Sequence, residues 1–156
     1  MFFGKDTKLD REAVFEQLKI DEGVKYEIYN DHLGYPTFGV GHLITKEDEE
    51  FGLDVGTKVS ADRVKSVFMK DLHTSIRECL ILYREDYFDD WPGEVQEILV
   101  NMMFNLGRPR LSKFKNMRTA IDNEDWATAA TEGRDSSWFR QVGNRAERLM
   151  ERLENV

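Results

Sequence analysis

Three side chains in the stretch DEGVKYEIYNDHLGYPTFGVGH, Asp21 to His42, have types and spacing that can do chemistry. Glu22 stands before Gly23, Asp31 follows in a turn-like segment, and Thr37 lies in a run broken by Gly34, Gly39 and Gly41. Two carboxylates that converge on a cleft can cleave a glycosidic bond. One must stay protonated to donate to the leaving oxygen; the other must be ionised to activate water or to stabilise positive charge at the sugar. Different surroundings can split two carboxylates in this way. A glutamate at a helix end, backed by core, suits the acid, because the dipole at a helix C-terminus also disfavours its charge. Asp31, with solvent and backbone N–H groups nearby, suits the ionised partner, and Thr37 offers a hydroxyl that can hold a water. Spacing alone leaves ordinary turn and cap chemistry ahead of a hydrolytic site.

The elements that must position these residues are legible in the apolar pattern. Val14, Phe15 and Leu18 recur at helical spacing after a plausible N-cap at Asp10, and Gly23 is placed to stop that helix. YEIYNDHLGYPTFGV is strand-like, with Asp31–Gly34 as a turn between two short strands and GHLIT as a third. Pro36 demotes its run to an edge or irregular strand. Ser60 caps a helix of about 20 residues carrying Val64, Val67, Phe68, Leu72, Ile76, Cys79 and Leu80. Beyond Trp91-Pro92 everything is helical in pattern. A stripe from Val95 to Leu106 ends at Gly107, Ser112 caps a segment with Phe114, Met117 and Ile121, and Trp126, Ala129 and Ala130 form another that stops at Gly133. Asn144 with Glu147 reads as a capping box for a last helix. The expected architecture is α+β: a small antiparallel sheet lobe joined by a long helix to a helical lobe, with a ligand site in the cleft.

Composition narrows the classes. With 156 residues, 40% hydrophobic and 33% charged, the chain is long enough for one domain with a real core. The net charge is -8. Residues 1–92 hold 12 Lys and Arg against 20 Asp and Glu, whereas residues 93–156 hold 10 of each sign. An acidic first half argues against nucleic acid and gives no long-range attraction to an anionic surface. The clusters KEDEE (46–50) and REDYFDD (84–90) read as solvated loops or helix ends. No apolar run approaches a membrane span. The start, MFFGKDTKLDREAVFEQ, lacks the apolar core of an export signal, so synthesis in a cytoplasm is expected. Cys79 is the single cysteine and reads as a small buried hydrophobe.

Other chemistries lack their signatures. His32, His42 and His73 share no metal-ligand spacing, so no metal and no cofactor are expected. No dinucleotide fingerprint, P-loop or nucleophile elbow is present. His42 reads as structural, with Asp71 on the long helix as its candidate partner; such a pair would raise His42 and lower Asp71.

The segment LKIDEGVKYEIYNDHLGYPTFGVGHLIT resembles the active-site segment of the T-even bacteriophage lysozymes, the phage-type muramidases of glycoside hydrolase family 24. ILVNMMFNLG (98–107) is similar to that family's central buried helix, and SSWFRQVGNRAERL (136–149) to its Trp-containing helix and Asn-Arg-Ala start. The resemblance covers most of the chain from about residue 12. It implies a single lysozyme domain over 1–156: an extension at about 1–9, a sheet lobe at about 22–59, a connecting helix at about 60–82, and a helical lobe at about 93–156 packed with helix 10–22. It also implies Glu22 as general acid, Asp31 as second carboxylate and Thr37 as the residue that positions the attacking water. Substrate-binding positions would be Leu43, Phe104, Met117 and Glu132, with Arg145, His42 and Asp71 in support.

The implied substrate is bacterial peptidoglycan, cut between N-acetylmuramic acid and N-acetylglucosamine with inversion. A phage endolysin that lyses the host follows from this; a monomer is the default expectation, without membrane insertion. It would be held in the host cytoplasm until a separate holin releases it to the cell wall. A tail-associated or effector lysozyme, a non-catalytic wall-binding module and a lytic transglycosylase are the alternatives. The departures from the family lie at the extension, in a shorter segment after His42, and at Leu33 and Ser137, where an inter-lobe ion pair is expected in the family.

Overall fold

The computed structural model describes residues 9–156. The expected extension therefore lies, through residue 8, outside the described residues. The fold is α+β: helices dominate and one three-stranded antiparallel sheet is present. Two compact units divide the described chain, residues 11–74 and residues 75–156 with 9 and 10.

The first unit opens with α1 (Arg11–Glu22), which buries Val14, Phe15 and Leu18. Gly23 then takes φ +81°, a left-handed conformation that ends the helix at Glu22. The strands β1 (Lys25–Asn30), β2 (Pro36–Gly39) and β3 (His42–Leu43) follow, in the order β1-β2-β3. The strand carrying Pro36 is therefore central, which corrects the edge assignment. Pro36 occupies the first position, opposite Asn30, where its missing N–H interrupts no ladder, and its carbonyl still accepts from Ile44 N at 3.0 Å. The outer side of β1 is covered by the segment 56–59: Ile28 and Thr57, Gly56 and Ile28, and Val59 and Tyr26 exchange backbone bonds of 2.8–2.9 Å. That satisfies an edge that would otherwise template further pairing.

The 22-residue helix α2 (Ala61–Leu82) begins after Ser60, whose Oγ accepts from Arg63 N at 3.1 Å as a cap. Phe68 of α2 meets the Phe15 ring with centroids 4.8 Å apart. A Cβ on Gly39 would lie 3.3 Å from Val64 Cγ1, so glycine lets this helix approach the sheet. The boundary between the two units falls inside α2.

The second unit is built on α4 (Gly93–Leu106), whose Ile98, Leu99 and Met102 are fully buried. Short helices α3 (Glu85–Phe88) and α5 (Arg108–Leu111) flank it. α6 (Lys115–Asp122), α7 (Trp126–Arg134), α8 (Ser137–Val142) and α9 (Asn144–Glu154) complete the unit. Two expected caps are absent. Ser112 follows α5 and donates to Pro109 O at 2.8 Å, while α6 starts after Phe114 without a side-chain cap. Asn144 lies inside α9, which is entered from Gly143 at φ +71°; the Gly143 carbonyl closes the first turn on Glu147 N. Glycine's access to that conformation makes the sharp entry without a capping side chain. The side chains that do cap are Asp125, accepting from Thr128 N, and Ser136, accepting from Phe139 N, both at 3.2 Å.

Candidate active site

Glu22 is the last residue of α1 and is exposed. It lies one turn beyond Leu18, on the continuation of the buried stripe, but the helix stops there and the core stops with it. The expectation that core backs this carboxylate is corrected accordingly.

Asp31 follows β1 and organises the turn to β2. Its N–H donates to Tyr35 O and its carbonyl accepts from Gly34 N, both at 2.9 Å. Its Oδ1 accepts from Leu33 N and Tyr35 N, each at 2.9 Å. One oxygen thus shapes the turn, and the carboxylate is oriented by two backbone N–H groups. Gly34, at φ +88°, supplies the left-handed residue that this turn requires.

Thr37 is paired on both sides, opposite Tyr29 of β1 and Leu43 of β3. Directly opposed residues project from the same face, so Tyr29, Thr37 and Leu43 form one row. Thr37 is buried at the centre of the row and Leu43 is 49% exposed at its end. The Thr37 hydroxyl donates to Tyr35 O at 2.8 Å, which leaves its oxygen as an acceptor. Tyr29 is the junction with both carboxylates. Burial first, then the negative charges of Asp31 and Glu22, push its phenol above the usual range. The Lys25 ammonium sits 4.5 Å from the centre of its ring. Tyr29 was missed in the sequence, although its place two residues before Asp31 was a signal.

The opposite face of the sheet packs inward through Ile28 and Phe38, both fully buried, and His42 stands beside Phe38 with ring centroids 5.2 Å apart. The expected partnership of His42 with Asp71 is present, Nδ1 to Oδ2 at 2.7 Å. The sequence did not reveal the second partner: Asp48 Oδ2 lies 2.8 Å from Nε2 and also accepts from Thr45 N at 2.8 Å. Burial opposes charge on His42, but bonds from both carboxylates and their fields outweigh it and raise the imidazole. Asp48 is lowered: burial works against its charge, and the Thr45 N–H and His42 together overcome it. Glu50, 5% exposed, is held low first by a bidentate pair with Arg63, at 2.8 and 2.9 Å. The run 46–50 is therefore no solvated loop at Asp48 and Glu50. Asp89 in the second acidic run is buried too.

The remaining sequence candidates lie in the helical unit. Phe104, near the end of α4, is half-buried. Met117 of α6 is 2% exposed, more enclosed than a cleft-lining side chain was expected to be, because it lies on the buried stripe with Ala120 and Ile121. With half-buried Glu132 of α7 it still lines a concavity of about 420 Å³, together with Phe114, Ser136 and Trp138. Arg145 at the start of α9 donates through Nε to Asn101 Oδ1 at 2.9 Å. Trp138 Nε1 donates to Asn105 Oδ1 at 2.9 Å. Among the described residues no group of three His, Cys, Asp or Glu side chains could hold a metal ion, and no helix is long and apolar enough to cross a membrane.

Comparison with known proteins adds a family. Residues 19–155 match the phage lysozyme family. The probable T4-type lysozyme 2 of Dictyostelium discoideum is 32% identical over 154 residues, covering 86% of this chain and 89% of that protein. The probable T4-type lysozyme 1 of the same organism is 31% identical over 161 residues, covering 91% and 94%. The pre-baseplate central spike protein Gp5 of enterobacteria phage T4 is 31% identical over 153 residues, or 88% of this chain. This chain spans only 27% of that spike protein's length, but nearly all of the two amoebal proteins.

Proposed function

Because the chain belongs to the phage lysozyme family, we propose that it hydrolyses the β-1,4 bond between N-acetylmuramic acid and N-acetylglucosamine in bacterial peptidoglycan. Lysozyme-type glycoside hydrolysis is the family's activity and peptidoglycan its substrate. In this reading Glu22 protonates the leaving oxygen, Asp31 is the ionised carboxylate, and Thr37 holds the attacking water. The observation that supports it is the pairing of Tyr29 with Thr37 in one sheet row, Tyr29 being a phenol whose ionisation the charges of Asp31 and Glu22 both oppose.

The chemistry follows from that arrangement. Glu22 ends α1, where Gly23 stops the helix and fixes the place of the carboxyl group that acts as the acid in this reading. Asp31 is fixed by two backbone donors, so it keeps one orientation throughout the reaction. The Thr37 hydroxyl donates its hydrogen bond to Tyr35 O, so a water can donate to Thr37 Oγ1 and turn a lone pair toward the anomeric carbon. Water attack opposite the departing oxygen gives inversion, which needs the carboxylates roughly 6.5–9.5 Å apart. Leu43, Phe104, Met117 and Glu132 are assigned to the sugar chain, and Arg145, His42 and Asp71 to support of the site.

The biological setting is a phage endolysin: a monomer kept in the host cytoplasm until a separate holin lets it reach the wall and lyse the cell. A tail-associated lysozyme is the second reading, favoured by the likeness to a central spike protein. Finding the protein in purified virions would select it. A net charge of -8 gives no attraction to an anionic wall, so lysis should depend only weakly on added salt.

Purified peptidoglycan digested with wild type and with Glu22→Gln tests the reaction. Reducing muramic ends from wild type alone support it. Anhydro-muramic products would make the enzyme a transglycosylase, and equal activity in both proteins would remove Glu22 as the acid. Asp31→Ala should cost about two orders of magnitude or more.

A further inference from the structure

The catalytic assignment uses the middle of the Tyr29–Thr37–Leu43 row for water and its Leu43 end for the sugar chain. The other end, Tyr29, has no part in it. Three strands at about 4.8 Å spacing make the row roughly 10 Å long, the scale of a disaccharide. A saccharide lying over Leu43 and Thr37 toward Asp31 runs by way of Tyr29, because Asp31 follows two residues on, with its N–H still bonded across to Tyr35 O. Tyr29 is half-buried, so the residue keeps some exposure to solvent and to a ligand. Lys25 braces the ring, its ammonium lying 4.5 Å from the ring centre.

Resting on the reading of Glu22 and Asp31 as the hydrolytic pair, we propose that Tyr29 is a further substrate-binding residue of this site. The pyranose against Asp31 stacks an apolar C–H face on the ring, and the phenol donates to a sugar hydroxyl or to the acetamido carbonyl. An aromatic side chain with a polar tip suits a ligand that alternates C–H faces and hydroxyls. The phenol also keeps its proton where the carboxylates work, since burial, Asp31 and Glu22 all oppose its ionisation. It is therefore a donor beside the ionised Asp31, and a sugar oxygen can be held there while Asp31 stays free for the reacting carbon.

Two measurements on Tyr29→Phe and Tyr29→Leu decide this, with purified uncross-linked glycan strands as the probe. Binding is measured calorimetrically in the Glu22→Gln background, and KM and kcat are measured in the otherwise wild-type enzyme. Loss of the hydroxyl alone should weaken binding and raise KM by about fivefold, with kcat within about twofold. Tyr29→Leu should weaken both further, and Tyr87→Phe, an exposed tyrosine of α3, should change neither. Unchanged binding and KM in both Tyr29 variants would overturn the assignment. So would a fall in kcat at constant KM with a shifted pH profile, which would make Tyr29 a positioning residue. If wild type releases no reducing ends, the hydrolytic reading fails, while the binding comparison still decides Tyr29.

Discussion

The two units of this chain are held by different forces. Residues 75–156 gather most of the apolar core: Ile98, Leu99, Met102, Leu149, Met150 and Leu153 have no exposure to speak of, and Trp138 is 1% exposed. In residues 11–74 the sheet is small and much of its fastening is ionic. His42 is pinned between Asp71 and Asp48, and Arg63 grips Glu50 while lying 3.7 Å from Asp48. A three-stranded sheet with one two-residue strand cannot bury enough surface to fix its loops by packing alone. Charge-assisted hydrogen bonds do that work instead, and they bring a dependence on pH that apolar burial lacks. The unit that carries Glu22, Asp31 and Thr37 is thus the one in which a histidine-centred charge cluster can tune stability near neutral pH.

The sharpest way to break this contrast is to cut into each unit separately. Leu149→Ala, fully buried in α9, should cost about 2–5 kcal/mol and do so equally at every pH, read by denaturant unfolding. A pH-dependent loss there would contradict a core held by packing.

His42→Gln comes next. Removing the imidazolium strands two carboxylates, at an expected cost of about 2–3 kcal/mol given the partial burial of the cluster. Because His42 is raised in the folded state, its stabilisation is complete below its unfolded value, about 6.5, and fades as pH rises through the folded one. Asp48 is lowered, so its contribution holds above its unfolded value, about 3.9, and disappears as pH falls through the folded one. The Tm gap between wild type and His42→Gln should therefore be widest between about pH 4 and 6.5 and narrow on the alkaline side. A gap that stays constant to pH 10 would rule out the charged cluster as its source.

Gly133→Ala probes packing again with a smaller effect. Alanine normally favours a helix over glycine, yet a Cβ at this position would collide with the Met150 sulfur, which is buried. A net loss of about 1–3 kcal/mol is expected from thermal unfolding, and a gain would show that α7 and α9 have slack between them. The smallest effect should come from Lys58→Ala. It removes an exposed pair with Glu27 at 2.9 Å that solvent and salt already weaken, so Tm should not move measurably. A clear drop would mean that surface pairs contribute more to the sheet unit than this contrast allows.

How much was legible follows from the range of each signal. The end of α1 at Gly23, the turn at Asp31–Gly34 and the start of α2 at Ser60 are local features, set by backbone preference and one side chain within a few residues. They could be read directly. The capping box at Asn144 failed because the Gly143 carbonyl closes the first turn of α9, and the cap at Ser112 failed because its hydroxyl turns back to Pro109 O while the Phe114 carbonyl closes the first turn of α6. The acidic run 46–50 misled for a different reason: burial of Asp48 and Glu50 depends on His42 and Arg63, which are distant enough in sequence to leave no periodic trace.

By itself, then, the sequence determined the helices with strong apolar stripes, the glycine-directed turns, the α+β class and, through its motifs, the family to which the chain belongs. Tertiary structure alone decided that Asp48 and Glu50 are enclosed and paired, that the proline-bearing strand is central, and that Tyr29 stands in line with Thr37 and Leu43. Backbone propensity acts over a few residues and is written in the order of the chain. Pairing register and charge burial arise between segments, where only the closed fold sets the distances.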